Sequence, residues 1–141
     1  MLSITDARAL IAQTVYVLAP LRVPLAQAYG RTLRESLVAE EDIPAFDRSA
    51  MDGYAIRADD PAGEFRIVCE VPAGTVPTRG IGVGECARVF TGSPIPNGAT
   101  QVIVQEVAQR SGDTVSFSQR GKGTNIRCRG EDAREGSVLL E

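Results

Sequence analysis

The sequence predicts an α+β fold: a helical N-terminal piece followed by a compact, mostly antiparallel β module. Three observations carry this. Near the start, Ile4, Ala7, Leu10, Ile11, Val15 and Leu18 recur at helical spacing. From Phe65 onward the apolar residues alternate instead with period two. Between them and after them, Pro72, Gly74, Pro77, Gly80, Gly82 and Gly84 break the chain too often for a long helix. At 141 residues the chain is one ordinary domain or two small ones sharing an interrupted core. The expected division is a helical, elongated linker domain from residues 1–45 and 131–141, and a β-rich module from 46–130.

Taken in order, Ser3 is the expected N-cap of the first helix, with Asp6 three residues on, and Pro20 its expected end. Pro24 opens a short turn of helix through Tyr29, and Gly30 stands where a left-handed residue closes such a turn. The spacing of Leu33, Leu37, Val38 and Ala39 leaves helix and strand open. Glu40 to Gly53 reads as a loop, mixing acids, Pro, Ser and Gly. Phe65, Ile67, Cys69 and Val71 alternate with polar residues as one half-buried strand. Val89 and Phe90 mark the end of another. Val102 to Val107 and Thr114 to Ser118 also alternate, and Arg110-Ser111-Gly112-Asp113 between them predicts a hairpin. Asn125 to Arg127 and Val138 to Leu140 read as short strands, the last ten residues returning to the first piece. The expected core of the β module is Phe65, Ile67, Val102, Val104, Val115 and Phe117.

Composition excludes several classes of function. Hydrophobic residues are 43% and charged residues 23% of the chain, a globular balance. The stretch from Ala9 to Leu21 is too short and too polar to cross a bilayer, so no membrane association is expected. Asp6 and Arg8 interrupt any secretory signal at the start. Three widely spaced cysteines, Cys69, Cys86 and Cys128, form neither a disulfide framework nor a metal pair, and a reducing cytoplasmic location is expected. A net charge of −3 argues against nucleic acid as a partner. The charge is uneven: Arg120 to Arg134 holds five basic residues against Glu131 and Asp132, enough to meet one anionic small molecule. With no histidine, imidazole catalysis is excluded and chemistry falls to carboxylates, hydroxyls, amides and arginine.

Three segments concentrate such groups. Asp47-Arg48-Ser49-Ala50-Met51-Asp52-Gly53-Tyr54 places two carboxylates, a hydroxyl and a guanidinium in one loop, able to hold an anion or a hydrated metal ion; the structural alternative is that both acids are turn or capping residues. Phe90-Thr91-Gly92-Ser93-Pro94 follows a strand end, and the Thr91 and Ser93 hydroxyls with the Gly92 amide could bind an oxoanion. The alternative is a proline-stiffened connection. In Gly121 to Asp132, Arg127 and Arg129 would share one strand face and be available to phosphate or carboxylate, with Cys128 on the opposite, buried face. The alternative is a solvated face paired to Glu131 and Asp132.

Four motifs in order, IPAFDRSAMDGYAIRADD, VPAG, FTGSPIPNGATQVIVQE and KGTNIRCRGEDAREGSVLL, resemble the N-terminal region of the molybdopterin molybdenumtransferases, the MoeA family to which the gephyrin E-domain belongs. The resemblance departs at Ala45, where the family usually has Pro, and after Asp132. It implies the first two domains of an elongated homodimer that inserts molybdenum from molybdate into adenylylated molybdopterin, helped by a divalent cation such as Mg²⁺. By motif position, Asp52 would be a catalytic residue that holds metal or molybdate, and Thr91 a catalytic residue bonded to an oxoanion. Ser49, Gly92, Ser93, Arg127 and Arg129 would line the substrate site. A family member continues past the equivalent of Glu141 into further domains, so this chain is expected to carry half of a shared site and not to catalyse alone. The alternative function, of another class, is a protein-interaction scaffold of the gephyrin type.

Overall fold

The computed structural model describes residues 2–141, which divide into two compact units, 2–36 with Glu141, and Leu37–Leu140. In the first unit, helix α1 spans Ile4–Thr14 and the Ser3 hydroxyl caps it by accepting the Asp6 N–H at 3.1 Å. The helix stops well before Pro20. Val15, Tyr16 and Val17 follow, β-branched and aromatic residues that lose side-chain freedom in a helix and are of low helix propensity. A single 3-10 turn covers Leu25–Gln27 behind Pro24, and Gly30 has a φ of 75°. No residue of α1 is buried.

The second unit holds ten strands: β1 (Leu37–Val38), β2 (Arg48–Ser49), β3 (Gly53–Ile56), β4 (Glu64–Val71), β5 (Glu85–Val89), β6 (Gln101–Val104), β7 (Ala108–Ser111), β8 (Thr114–Phe117), β9 (Ile126–Arg127) and β10 (Val138–Leu140). Six form one sheet in the order β6-β3-β5-β4-β8-β7, parallel only between β4 and β5. The remaining four make two short antiparallel pairs, β1 with β10 and β2 with β9. The fold is thus α+β, with a mostly antiparallel sheet. No helix among the described residues is long and apolar enough to cross a membrane.

Both faces of the sheet are covered, which the expected core did not anticipate. Tyr54, Ile56, Phe65, Cys86, Ile103 and Val115 pack on one face, and Ala55, Val71, Ile81, Ala87, Val89 and Val102 on the other. All four residues of β3 are buried, so the short run GYAI at the end of the expected loop is a central strand. The alternation over Phe65 to Val71 does not mark a single face. A bulge lies between Ile67 and Cys69, and the extra residue reverses which side chains point which way. Phe65 and Ile67 pack on the first face, Cys69 and Val71 on the second.

The hairpin is present, but its first strand is not Val102 to Val107. A 3-10 turn at Gln105–Val107 separates β6, which pairs with β3, from β7, which pairs with β8 across the two-residue loop Gly112-Asp113. Gly112 has a φ of 58°, the positive value such tight loops need. Val102 and Ile103 are buried on opposite faces, Val104 is half-buried, and Phe117 is a half-buried lid whose ring centroid lies 5.6 Å from that of Phe65. Cys128 is exposed, contrary to expectation, because β9 ends at Arg127 and the chain has already turned. Cys86 is the buried thiol, pushed up to about 12 by burial and therefore held as an inert thiol.

Candidate functional site

Asp52 and Thr91 meet because of strand register. β3 and β5 run antiparallel with Gly53 opposite Val89, so the residue before β3 and the residues after β5 emerge at the same end of the sheet. Gly53 lets β6 approach β3 on its other side: a Cβ there would stand 2.0 Å from the Ile103 carbonyl oxygen of β6. The following turn is stitched to the Asp47–Ser49 segment by backbone. Gly92 N–H donates to the Ser49 carbonyl at 2.8 Å, Ser49 N–H to the Ser93 carbonyl at 2.9 Å, and Ile95 N–H to the Asp47 carbonyl at 3.0 Å.

Within this frame Asp52 Oδ1 accepts two bonds from Thr91, from its N–H at 2.7 Å and its hydroxyl at 2.8 Å. The Thr91 N–H, then its hydroxyl, then the nearby Arg88 charge hold the Asp52 carboxyl below the usual carboxylate range, and partial desolvation opposes them. Both protein bonds fall on Oδ1. Oδ2 carries no hydrogen bond from the described residues, on a part-exposed side chain beside exposed Thr91.

The donors expected to form an oxoanion cup are spent inside the fold. The Ser93 side chain is fully buried; its hydroxyl donates to the Phe90 carbonyl at 2.6 Å and accepts the Phe90 N–H at 2.9 Å. Ser49 is buried too and donates to the Met51 carbonyl at 2.6 Å. The Gly92 amide is bonded to Ser49, and the Thr91 proton is committed to Asp52. A short strand followed by a tight turn must satisfy its own backbone groups, and hydroxyls at that spacing do so first. At the Asp52–Thr91 pair itself the outward chemistry is therefore that of acceptors.

Arg127 and Arg129 stand in a clasp that ties the two crossings of the chain at residues 42–48 and 127–135. Arg127 pairs with Glu131 and with both Asp132 oxygens at 2.6 Å. Arg129 Nε pairs with Asp42 at 2.5 Å, and the Arg129 N–H donates to Asp47 at 2.7 Å. The Glu135 N–H and then Arg129 lower the Asp42 carboxyl below its ordinary range. This is the paired arrangement weighed as the structural alternative for Arg127. It brings neither guanidinium to the Asp52–Thr91 pair by any direct bond.

Magnesium takes oxygen ligands and is commonly held through one or two carboxylates, with water and substrate phosphate completing the shell. Asp52 fits as one such carboxylate. Among the described residues no group of three or more His, Cys, Asp or Glu stands together to hold a metal alone.

A family model described as the MoeA N-terminal region, domain I and II, matches residues 2–141. The chain belongs to the MoeA family. Its MoeA segment is 34% identical over 148 residues to molybdopterin molybdenumtransferase 2 of Mycobacterium tuberculosis strain H37Rv, covering 99% of this chain and 36% of that protein. It is 36% identical over 127 residues to the molybdopterin molybdenumtransferase of Staphylococcus aureus strain Mu50, covering 84% of this chain and 30% of that one. Among solved structures it resembles the molybdopterin biosynthesis MoeA protein of Pyrococcus horikoshii OT3, with a TM-score of 0.76 and 44% identity over 84% of this chain and 33% of that chain. The chain thus spans about a third of the length of the curated relatives it matches.

Two residues at the site had no place in the sequence reading. Arg88 and Gln105 are bonded to each other at 2.6 Å beside Asp52. The available signal was an arginine set between buried Ala87 and Val89 in a strand, a position where a long charged side chain must turn toward a partner.

Proposed function

We propose that this chain is the part of a molybdopterin molybdenumtransferase that supplies one wall of a shared cleft in a homodimer. There molybdate and adenylylated molybdopterin are the substrates and insertion of molybdenum is the reaction. The observation that carries the proposal is the pairing of Asp52 with Thr91 across 39 residues of sequence, at one end of the sheet, with one carboxylate oxygen uncommitted. The family match supplies the reaction class.

In this reading Thr91 does not donate to an oxoanion. Its proton orients Asp52, fixing one oxygen inward so that the other faces the cleft, and its own lone pairs stand beside that oxygen. These bonds and the Arg88 charge hold the Asp52 carboxyl below its ordinary range. A bare carboxylate repels an anionic substrate, so the wall suits a cation or a protonated group. A bound Mg²⁺ would supply charge screening between the wall and the anionic substrates. Ser49, Gly92 and Ser93 hold the backbone that presents the pair. Arg127 and Arg129 keep Nη groups without a protein partner, and any contact with substrate would compete with their internal acids.

The test is a graft. Residues 2–141 replace the matching segment of the S. aureus relative, and molybdenum insertion into adenylylated molybdopterin is measured against that parent. Activity within about tenfold of the parent supports the reading. A graft that folds and assembles as the parent does and yet inserts no molybdenum contradicts it.

A further inference from the structure

We propose that Arg88 is the positioning residue of the Asp52–Thr91 wall, clamping with one guanidinium the three backbone segments that converge on that carboxylate; the proposal rests on the reading of Asp52 given above. Arg88 lies in β5 directly opposite Tyr54 of β3. Its Nη1 donates at 2.9 Å to the carbonyl of Gly53, the residue after Asp52. Its Nη2 donates to Gln105 Oε1 at 2.6 Å, and the Gln105 N–H in turn donates to the Asp52 carbonyl at 3.0 Å. The guanidinium carbon also stands 5.1 Å from the Tyr54 ring centroid and 4.8 Å from that of Phe90, the residue preceding Thr91.

The bonds form a closed circuit. Asp52 is gripped through its carbonyl by Gln105 and through its carboxylate by Thr91. Arg88 holds Gln105 directly and touches Phe90, so it braces both grips at once. Only a planar fork flanked by two aromatic rings does this. A lysine ammonium offers a point charge with no fixed pair of donors and no plane to stack. Thr91 sits on an exposed turn after the strand has ended, where the backbone bonds of Gly92, Ser93 and Ile95 hold the turn but only the Arg88 circuit ties Phe90 to the Gln105 side of Asp52.

The test is amide hydrogen exchange by NMR on the 141-residue chain with Arg88→Met, Arg88→Lys and Gln105→Ala. The Thr91 and Gln105 amides report the circuit, and the Cys86 and Val115 amides report the sheet. Arg88→Met is expected to speed exchange at Thr91 and Gln105 by tenfold or more while the sheet amides keep their rates. Arg88→Lys should restore Thr91 only in part. Gln105→Ala alters an exposed side chain and keeps the fold testable should Arg88→Met fail to fold; it should loosen Thr91 in the same selective way. Equal acceleration at every amide would show a merely structural residue and overturn the proposal. So would an unchanged Thr91 in a folded Arg88→Met or Gln105→Ala chain. No substrate enters this measurement, so it can succeed even if Asp52 proves to have no part in molybdenum insertion.

Discussion

Two polar clusters in the β module are built from similar groups and end differently. In the clasp, Asp42 accepts from the Glu135 N–H on one oxygen and from Arg129 on the other, and Asp132 gives both oxygens to Arg127. In the wall, Asp52 receives both of its bonds on one oxygen. Both Asp42 and Asp52 are held below the ordinary carboxylate range, so a lowered proton affinity does not distinguish them. What separates them is whether one whole oxygen is left without a partner in the chain. A carboxylate whose two oxygens are satisfied within the chain serves the fold, and one with an oxygen to spare can serve a ligand.

The contrast can be strained at several points. The largest expected effect is on the sheet that carries the wall: Phe65 is fully buried, so Phe65→Ala should cost about 3–5 kcal/mol in urea unfolding, with a loss near zero showing that the wall does not rest on this core. Phe117→Ala should cost less, because Phe117 is only half-buried. Ser93→Ala removes a buried hydroxyl with two bonds and strands the Phe90 amide; about 1–3 kcal/mol is expected, with selective loosening of the turn that bears Thr91. Arg127→Gln acts on a part-exposed ion pair, and a loss of about 1 kcal/mol or less is expected, falling further at high salt.

Acid should act on both clusters. Asp42 and Asp52 have folded values lowered from the ordinary one, so their contribution is present above the usual carboxylate range and is lost as pH falls through the folded values. Thermal midpoints measured from pH 6 downward should therefore fall below about pH 4. In Asp42→Asn the fall should be shallower. A midpoint that rises on acidification would contradict the pairing of both acids.

The strand periodicity and the turn residues make most of the β module legible. Three features escaped for physical reasons. β3 is only four residues long and buried on both faces, so it shows no alternation to read. The bulge in β4 is an extra residue that leaves the composition of the strand unchanged. The Gln105–Val107 turn continues an apparent alternation while ending β6, so the hairpin was given the wrong first strand. At the site, Asp52 and Thr91 could be singled out as residues. The commitment of the Thr91, Gly92 and Ser93 donors could not, because it depends on which end of β5 meets which end of β3.

The central claim is that Asp52 keeps one carboxylate oxygen free of the fold and Asp42 does not. Asp52→Asn keeps nearly the same volume, and its carboxamide oxygen can still accept both Thr91 bonds. Asp42→Asn leaves an amide facing a donor. The deciding measurement places both variants in the active graft and records urea unfolding together with molybdenum insertion. The account predicts that Asp52→Asn lowers insertion by about a hundredfold or more, the scale of one lost electrostatic group at a reacting centre, with its unfolding midpoint lowered less than in Asp42→Asn. Asp42→Asn should lower the midpoint and leave insertion in the folded fraction nearly intact. If Asp52→Asn instead unfolds the module and activity falls only in proportion, the carboxylate is a structural cap and the wall has been assigned wrongly.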